Sequence, residues 1–138
     1  MPSLKRLRLL LIPALCWAAS AVGEVVIIGH PSLHHLDRLT VERIYTGKVV
    51  EVDGQHVCAL DLPVGDPLRN RFLARWLGTD EDRYTAYWTV RRYIGKGAPP
   101  KELDHSTDII SLVQSTPGAI GYIDANELKP GMNLLLRR

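Results

Sequence analysis

Val25-Val26-Ile27-Ile28-Gly29 is an unbroken β-branched run closed by a glycine, with Pro31 two residues further on. A strand with one wet face alternates apolar and polar residues, so a run that is apolar at every position predicts a strand covered on both faces. Ala119-Ile120-Gly121-Tyr122-Ile123, entered from the turn pair Pro117-Gly118, has the same character. Strands buried on both faces belong to a sheet with helices laid on it, and the stretches between the two runs carry helical signals.

Thr40 precedes Val41-Glu42-Arg43-Ile44-Tyr45, and Gly47 follows as a stop, which predicts a short helix with Thr40 as its cap. Asp53-Gly54 marks a turn, and residues 56–62 read as a second strand halted by Pro63. Asp66-Pro67 opens the next helix, with Asp66 as N-cap and Pro67 in the first turn, where its missing N–H costs nothing. Leu68, Phe72, Leu73, Trp76 and Leu77 fall on one face at helical spacing, and Gly78 ends the helix. Thr79, with Asp82 three residues on, predicts the cap of a third helix whose buried side carries Tyr84, Tyr87 and Trp88. Residues 95–100, Gly-Lys-Gly-Ala-Pro-Pro, form a loop. A fourth helix starts at Ser106 or Thr107 and buries Ile109, Ile110, Leu112 and Val113, and residues 132–136 read as a last, edge strand. The fold class this predicts is α/β, a mixed and mostly parallel sheet flanked by helices.

The first 23 residues have the three zones of an export signal. Lys5, Arg6 and Arg8 come first, then the apolar run 9–19, then small residues, with cleavage before Val22 or, preferred here, before Glu24. The run is too short for a hydrocarbon core that needs ~20 apolar residues, and Pro13 interrupts it. Leu15 is too bulky for the position before a lipidated cysteine, which argues against Cys16 as a lipid anchor. The expected division is a signal peptide over 1–23 and one periplasmic domain over 24–138, with no membrane span in the mature chain.

Export changes the charge argument. The whole sequence has 17 basic and 15 acidic residues; the signal takes three of the basic ones and no acidic one, leaving a mature charge of −1. Basicity therefore gives no support to a nucleic-acid partner. Cys58 is the one cysteine after position 23, so the domain must be held by its core rather than by an internal disulfide, and its apolar neighbours predict a buried, inert thiol.

Four phrases recur together in a familiar order: Leu39-Thr40-Val41-Glu42-Arg43-Ile44-Tyr45-Thr46-Gly47-Lys48, Val64-Gly65-Asp66-Pro67-Leu68-Arg69, Gly95-Lys96-Gly97, and Thr116-Pro117-Gly118-Ala119-Ile120-Gly121-Tyr122-Ile123. Over essentially all of the mature chain the sequence resembles the substrate-binding proteins of phosphate ABC transporters, and more closely their short relatives that keep about one lobe of two. The fold this implies is a single lobe of a type II periplasmic binding protein. The full-length family holds phosphate between two lobes, using an arginine and a Ser-Gly-Thr stretch whose backbone N–H groups face the anion at a helix start. The matching stretch here is Gly65-Asp66-Pro67-Leu68, and the arginine position falls near Asp61. Pro67 has no N–H, Asp66 brings a negative charge and the hydroxyls are gone, so the departure is severe.

The candidate ligand residues are Gly65, Asp66, Leu68 and Arg69 at the helix start, His30 and Ser32 after the first strand, and Lys96 between two glycines. The helix dipole, free amides at Leu68 and Arg69, and the side chains of Arg69 and Arg71 would suit phosphate or another small oxyanion. The competing reading has Asp66 as a plain cap. His30 alone could ligate a metal, but the adjacent His34 and His35 lack the i, i+4 geometry that brings two imidazoles together, His56 and Cys58 share a strand face without a third ligand, and no nucleophile elbow is present, so the sequence implies neither a metal, a cofactor nor an enzyme. The second functional expectation is a lobe that has lost its ligand and meets an envelope protein or a second copy of itself.

Overall fold

The computed structural model describes residues 23–137. The proposed signal segment, apart from Gly23, lies outside the described residues. The chain order is β1 (Val25–Gly29), α1 (Arg38–Tyr45), β2 (Glu51–Val52), β3 (Gln55–His56), β4 (Cys58–Asp61), α2 (Pro67–Phe72), α3 (Glu81–Tyr93), β5 (Lys101–Glu102), α4 (Ser106–Ser115), β6 (Ala119–Asp124) and β7 (Leu134–Leu136). α2 runs directly into a π turn, Leu73–Leu77, which Gly78 ends in the left-handed region at φ 62°. Among the described residues no helix is long and apolar enough to cross a membrane.

Five strands form one sheet in the order β5-β4-β6-β1-β7, and β2 and β3 form a separate hairpin. β4 is parallel to both β5 and β6, whereas β1 is antiparallel to β6 and β7, so β1 alone runs against the other four. This is the mixed, mostly parallel sheet that the buried runs predicted, and every residue of β1 is buried.

The two faces of β6 show how the layers are built. Gly121 turns toward α4, where Ile109 and Val113 pack over it, while Tyr122 on the opposite face stacks on Phe72 of α2 at 4.0 Å between ring centroids. Tyr45 of α1 completes that aromatic group, 4.7 Å from Phe72, and its hydroxyl donates to Leu60 O at 2.7 Å. Tyr84 of α3 donates in turn to Tyr45 O at 2.7 Å, and Trp76 Nε1 to Val25 O at 3.1 Å. These three donors each meet a backbone carbonyl, whereas the buried Nε1 of Trp88 has no hydrogen-bond partner among the described residues.

Several boundaries differ from expectation. Asp37, not Thr40, caps α1, because its carboxylate accepts from Thr40 N at 2.7 Å and starts the helix at Arg38. Asp80, not Thr79, caps α3 by accepting from Arg83 N at 2.9 Å. The strand expected over 56–62 divides between two sheets: Val57 N donates to Val50 O in the hairpin, and one residue later Cys58 N donates to Gly118 O in the main sheet. The hairpin turn itself has both Asp53 (φ 50°) and Gly54 (φ 78°) left-handed, the twist that a two-residue turn needs. Cys58 is half-buried rather than buried, since β5 pairs only with Leu60 and Asp61 and leaves the start of β4 uncovered on that side. The last strand is shorter than 132–136 but stands at the sheet edge as expected, and β5 has no apolar signal by which to be found.

Candidate functional site

Open α/β sheets gather ligands beyond the carboxyl ends of their parallel strands. Here those ends are Asp61 of β4 and Asp124 of β6, with the starts of α2 and α4 beside them. Between these lies a cavity of about 440 Å³, lined among others by Leu68, Arg71, His105, Ser106 and Thr107 and by four carboxylates: Asp66, Asp104, Asp124 and Glu127.

The start of α2 is the element that would meet an anion, and Asp66 has taken it. Its Oδ1 accepts from Leu68 N at 2.8 Å and from Arg69 N at 3.4 Å, and Pro67 supplies no N–H at all. The two amides expected to face a ligand are therefore capped from within.

Arg69 is 5% exposed and surrounded by acids. Its Nε and Nη2 donate to the two oxygens of Glu81 at 2.8 and 2.7 Å, a bidentate pair. Nη1 donates to Leu62 O at 2.8 Å and to Glu102 at 3.1 Å, and lies 3.2 Å from Asp61 Oδ2. Asp61, 1% exposed, also accepts from Leu62 N at 2.9 Å and from the Tyr122 hydroxyl. Burial raises the Asp61 carboxyl above its ordinary range, outweighing the Tyr122 hydrogen bond and the Arg69 charge that pull it down. Tyr122 is raised far above the usual phenol range by the same burial and by the charge of Asp61, so its hydroxyl stays a donor. One guanidinium thus answers three carboxylates, and the cavity of about 190 Å³ that it lines with Asp61, Glu102 and Arg92 is shared with two of those acids.

The start of α4 is different. No side chain caps it; Ser106 Oγ instead donates to Glu127 at 2.6 Å. Arg71 reaches the same cavity and pairs with Asp124 at 3.2 Å. With four carboxylates against one arginine, the cavity is acidic and suited to hydrogen-bond donors and cations.

The structure divides the remaining candidates. His30 and Ser32 lie at the other end of the sheet, where His30 N donates to Ala119 O and Ser32 Oγ accepts from Gly118 N at 3.0 Å while bonding His30 Nδ1 at 2.9 Å. A five-residue strand separates the two ends by about 17 Å. Lys96 follows the far end of α3, about 20 Å along that helix from Glu81. Gly65 (φ 91°) shapes the turn into α2 and presents open space. Of the seven candidates, Gly65, Asp66, Leu68 and Arg69 fall together at the strand-end edge, His30 and Ser32 fall together at the opposite end, and Lys96 stands apart from both. Sequence reasoning missed Glu81 and Glu102 as partners of Arg69 and missed the acids around α4. The available signal was that β4 and β6 both end on aspartate, at the edge where such sheets build sites. Among the described residues no group of three or more His, Cys, Asp or Glu is arranged to hold a metal ion.

No protein-family model matches this sequence, and a search of curated proteins returns no relative. Among solved structures, the chain is similar to an ABC-type phosphate transport receptor from Vibrio cholerae, at 13% identity and a TM-score of 0.63, covering 82% of this chain and 45% of that one. It is also similar to a protein from Clostridium perfringens assigned as a phosphate ABC transporter substrate-binding protein and solved with bound phosphate, at 21% identity and a TM-score of 0.63, covering 82% of this chain and 44% of that one. These likenesses establish the fold, and the chain spans less than half the length of either receptor.

Proposed function

We propose that this chain is an exported, non-catalytic binding module of the cell envelope that uses the strand-end cavity to hold a protein partner rather than a free anion. The observation that carries this reading is the internal pairing at the start of α2: Asp66 caps the amides of Leu68 and Arg69, and three carboxylates pair with the Arg69 guanidinium. What remains open at that edge is acidic and complements a partner surface rich in lysine, arginine or amide donors. A photo-reactive residue placed at Asp104 tests this in the exporting cell. The expected result is one cross-linked envelope protein, lost when Asp124 and Glu127 are neutralised to Asn and Gln. A clean monomer with no cross-link that binds phosphate tightly rejects the reading.

A second reading keeps a small oxyanion such as phosphate as ligand. It is favoured by the uncapped start of α4, which brings Ser106, Thr107 and Arg71 to one cavity, and by the phosphate held in the Clostridium perfringens neighbour. Under it, millimolar phosphate raises the melting temperature by mass action; under the first reading the melting temperature does not move.

A further inference from the structure

Residues 83–101 contain five lysines and arginines and no aspartate or glutamate, although the sequence from Glu24 onward is slightly acidic as a whole. This stretch is most of α3 and the loop after it, and none of its residues lines the acidic cavity. At its tip the apolar side chains are not buried. Val90 is 60% exposed, Tyr93 92% and Ile94 56%. They stand at i, i+3 and i+4, so they share one outward stripe. α3 has already spent its inward face on Tyr84 and Trp88, which leaves the stripe with no role in the core.

The surroundings of the stripe are cationic. Arg92 and Lys96 flank it, and both are exposed. Arg91 is held beside them, donating to Gly47 O at 3.3 Å and lying over the rings of Tyr87 and Trp88. Gly95 and Gly97 take the chain around the tip in left-handed conformations, and a Cβ added at either would meet nothing within 4 Å, so the turn after the helix faces open space. A protruding tip with one aromatic, two aliphatic residues and a collar of cations matches the interfacial zone of a bilayer, where tyrosine sits at headgroup level and lysine and arginine attract anionic lipid. An acidic protein would answer the charge alone, whereas the exposed stripe of Val90, Tyr93 and Ile94 beside the cations suits the headgroup zone, which takes both.

We infer that the tip of α3 docks on an anionic phospholipid surface, with Tyr93, Ile94 and Val90 entering the headgroup region and Arg92 and Lys96 holding lipid phosphates. The surface lies apart from the strand-end cavity, so the inference stands whichever occupant that cavity takes. Among the described residues the hydrophobic core is assembled within 25–136, so protein beginning at Glu24, the preferred mature start, retains it.

Co-sedimentation of that protein with vesicles of equimolar phosphatidylglycerol and phosphatidylcholine tests the inference. Binding is expected to the mixed vesicles, to be absent on pure phosphatidylcholine, and to weaken as salt rises. The double variant Arg92→Gln/Lys96→Gln should lower the partition coefficient about thirtyfold, from the usual attraction per basic residue. Tyr93→Ser/Ile94→Ser should abolish binding while the melting temperature holds, since both side chains are exposed. Failure to bind anionic vesicles overturns the inference, as does binding that both variants retain. Capture of an acidic protein by the tip, with no vesicle binding, overturns it in favour of a protein contact.

Discussion

Arg69 holds four pieces of the chain together through one planar group: β4 through Asp61, the following turn through Leu62 O, α3 through Glu81 and β5 through Glu102. Its worth is the cost of leaving those partners unanswered. Arg69→Ala strands the buried Asp61 charge and should destabilise the fold by about 3–5 kcal/mol, measured by urea unfolding; a loss under 1 kcal/mol would mean that water reaches the network. Asp61 gives a pH signature of unusual sign. Its folded value lies above the ordinary 3.8, so the folded state holds the proton more tightly than the unfolded chain does. The stability this contributes is complete below 3.8 and is lost as pH rises through the folded value. Relative to Asp61→Asn, the wild-type advantage should therefore shrink as pH climbs from 3 upward, and an advantage that grew with pH would show the Arg69 pair overriding burial.

At the scale of elements, the turn into β6 and its contact with α4 depend on two glycines. Gly118 sits at φ 77°, and a Cβ there would lie 1.9 Å from the carbonyl oxygen of His56, a backbone atom with nowhere to go. Gly118→Ala should cost about 2 kcal/mol or more, the left-handed penalty of ~1–2 kcal/mol plus the displaced hairpin. At Gly121 a Cβ would meet Ile109 Cγ2 at 2.5 Å, so Gly121→Ala should push α4 off the sheet and cost about 1–3 kcal/mol. Equal stability of either variant with wild type in urea would contradict this packing. The sequence made both positions visible because glycine beside an apolar run signals a turn or a close approach. Helix starts were less legible: Asp37 and Asp80 won over Thr40 and Thr79 because each lies one helical turn before an amide it can reach, and several capping residues stand close together in both places. β5 was invisible because an exposed Lys101-Glu102 pair has no strand pattern and is fixed by β4 alone. The Arg69 network could not be read either, since its members lie 8 to 41 positions apart and only the fold joins them.

For the whole molecule, charge and length bear on function together. The chain covers less than half of each phosphate receptor that shares its fold. It has acids at the strand-end edge and cations at the opposite tip of α3, a polarity that would set a membrane-docked copy with its cavity turned outward. The central claim is that this edge has replaced a free anion with its own carboxylates. Titrating the protein with phosphate to 10 mM while following backbone amide resonances tests it most directly. The account predicts that Leu68 and Arg69 amides stay unmoved, capped by Asp66; saturable shifts at those two amides with micromolar affinity would contradict it.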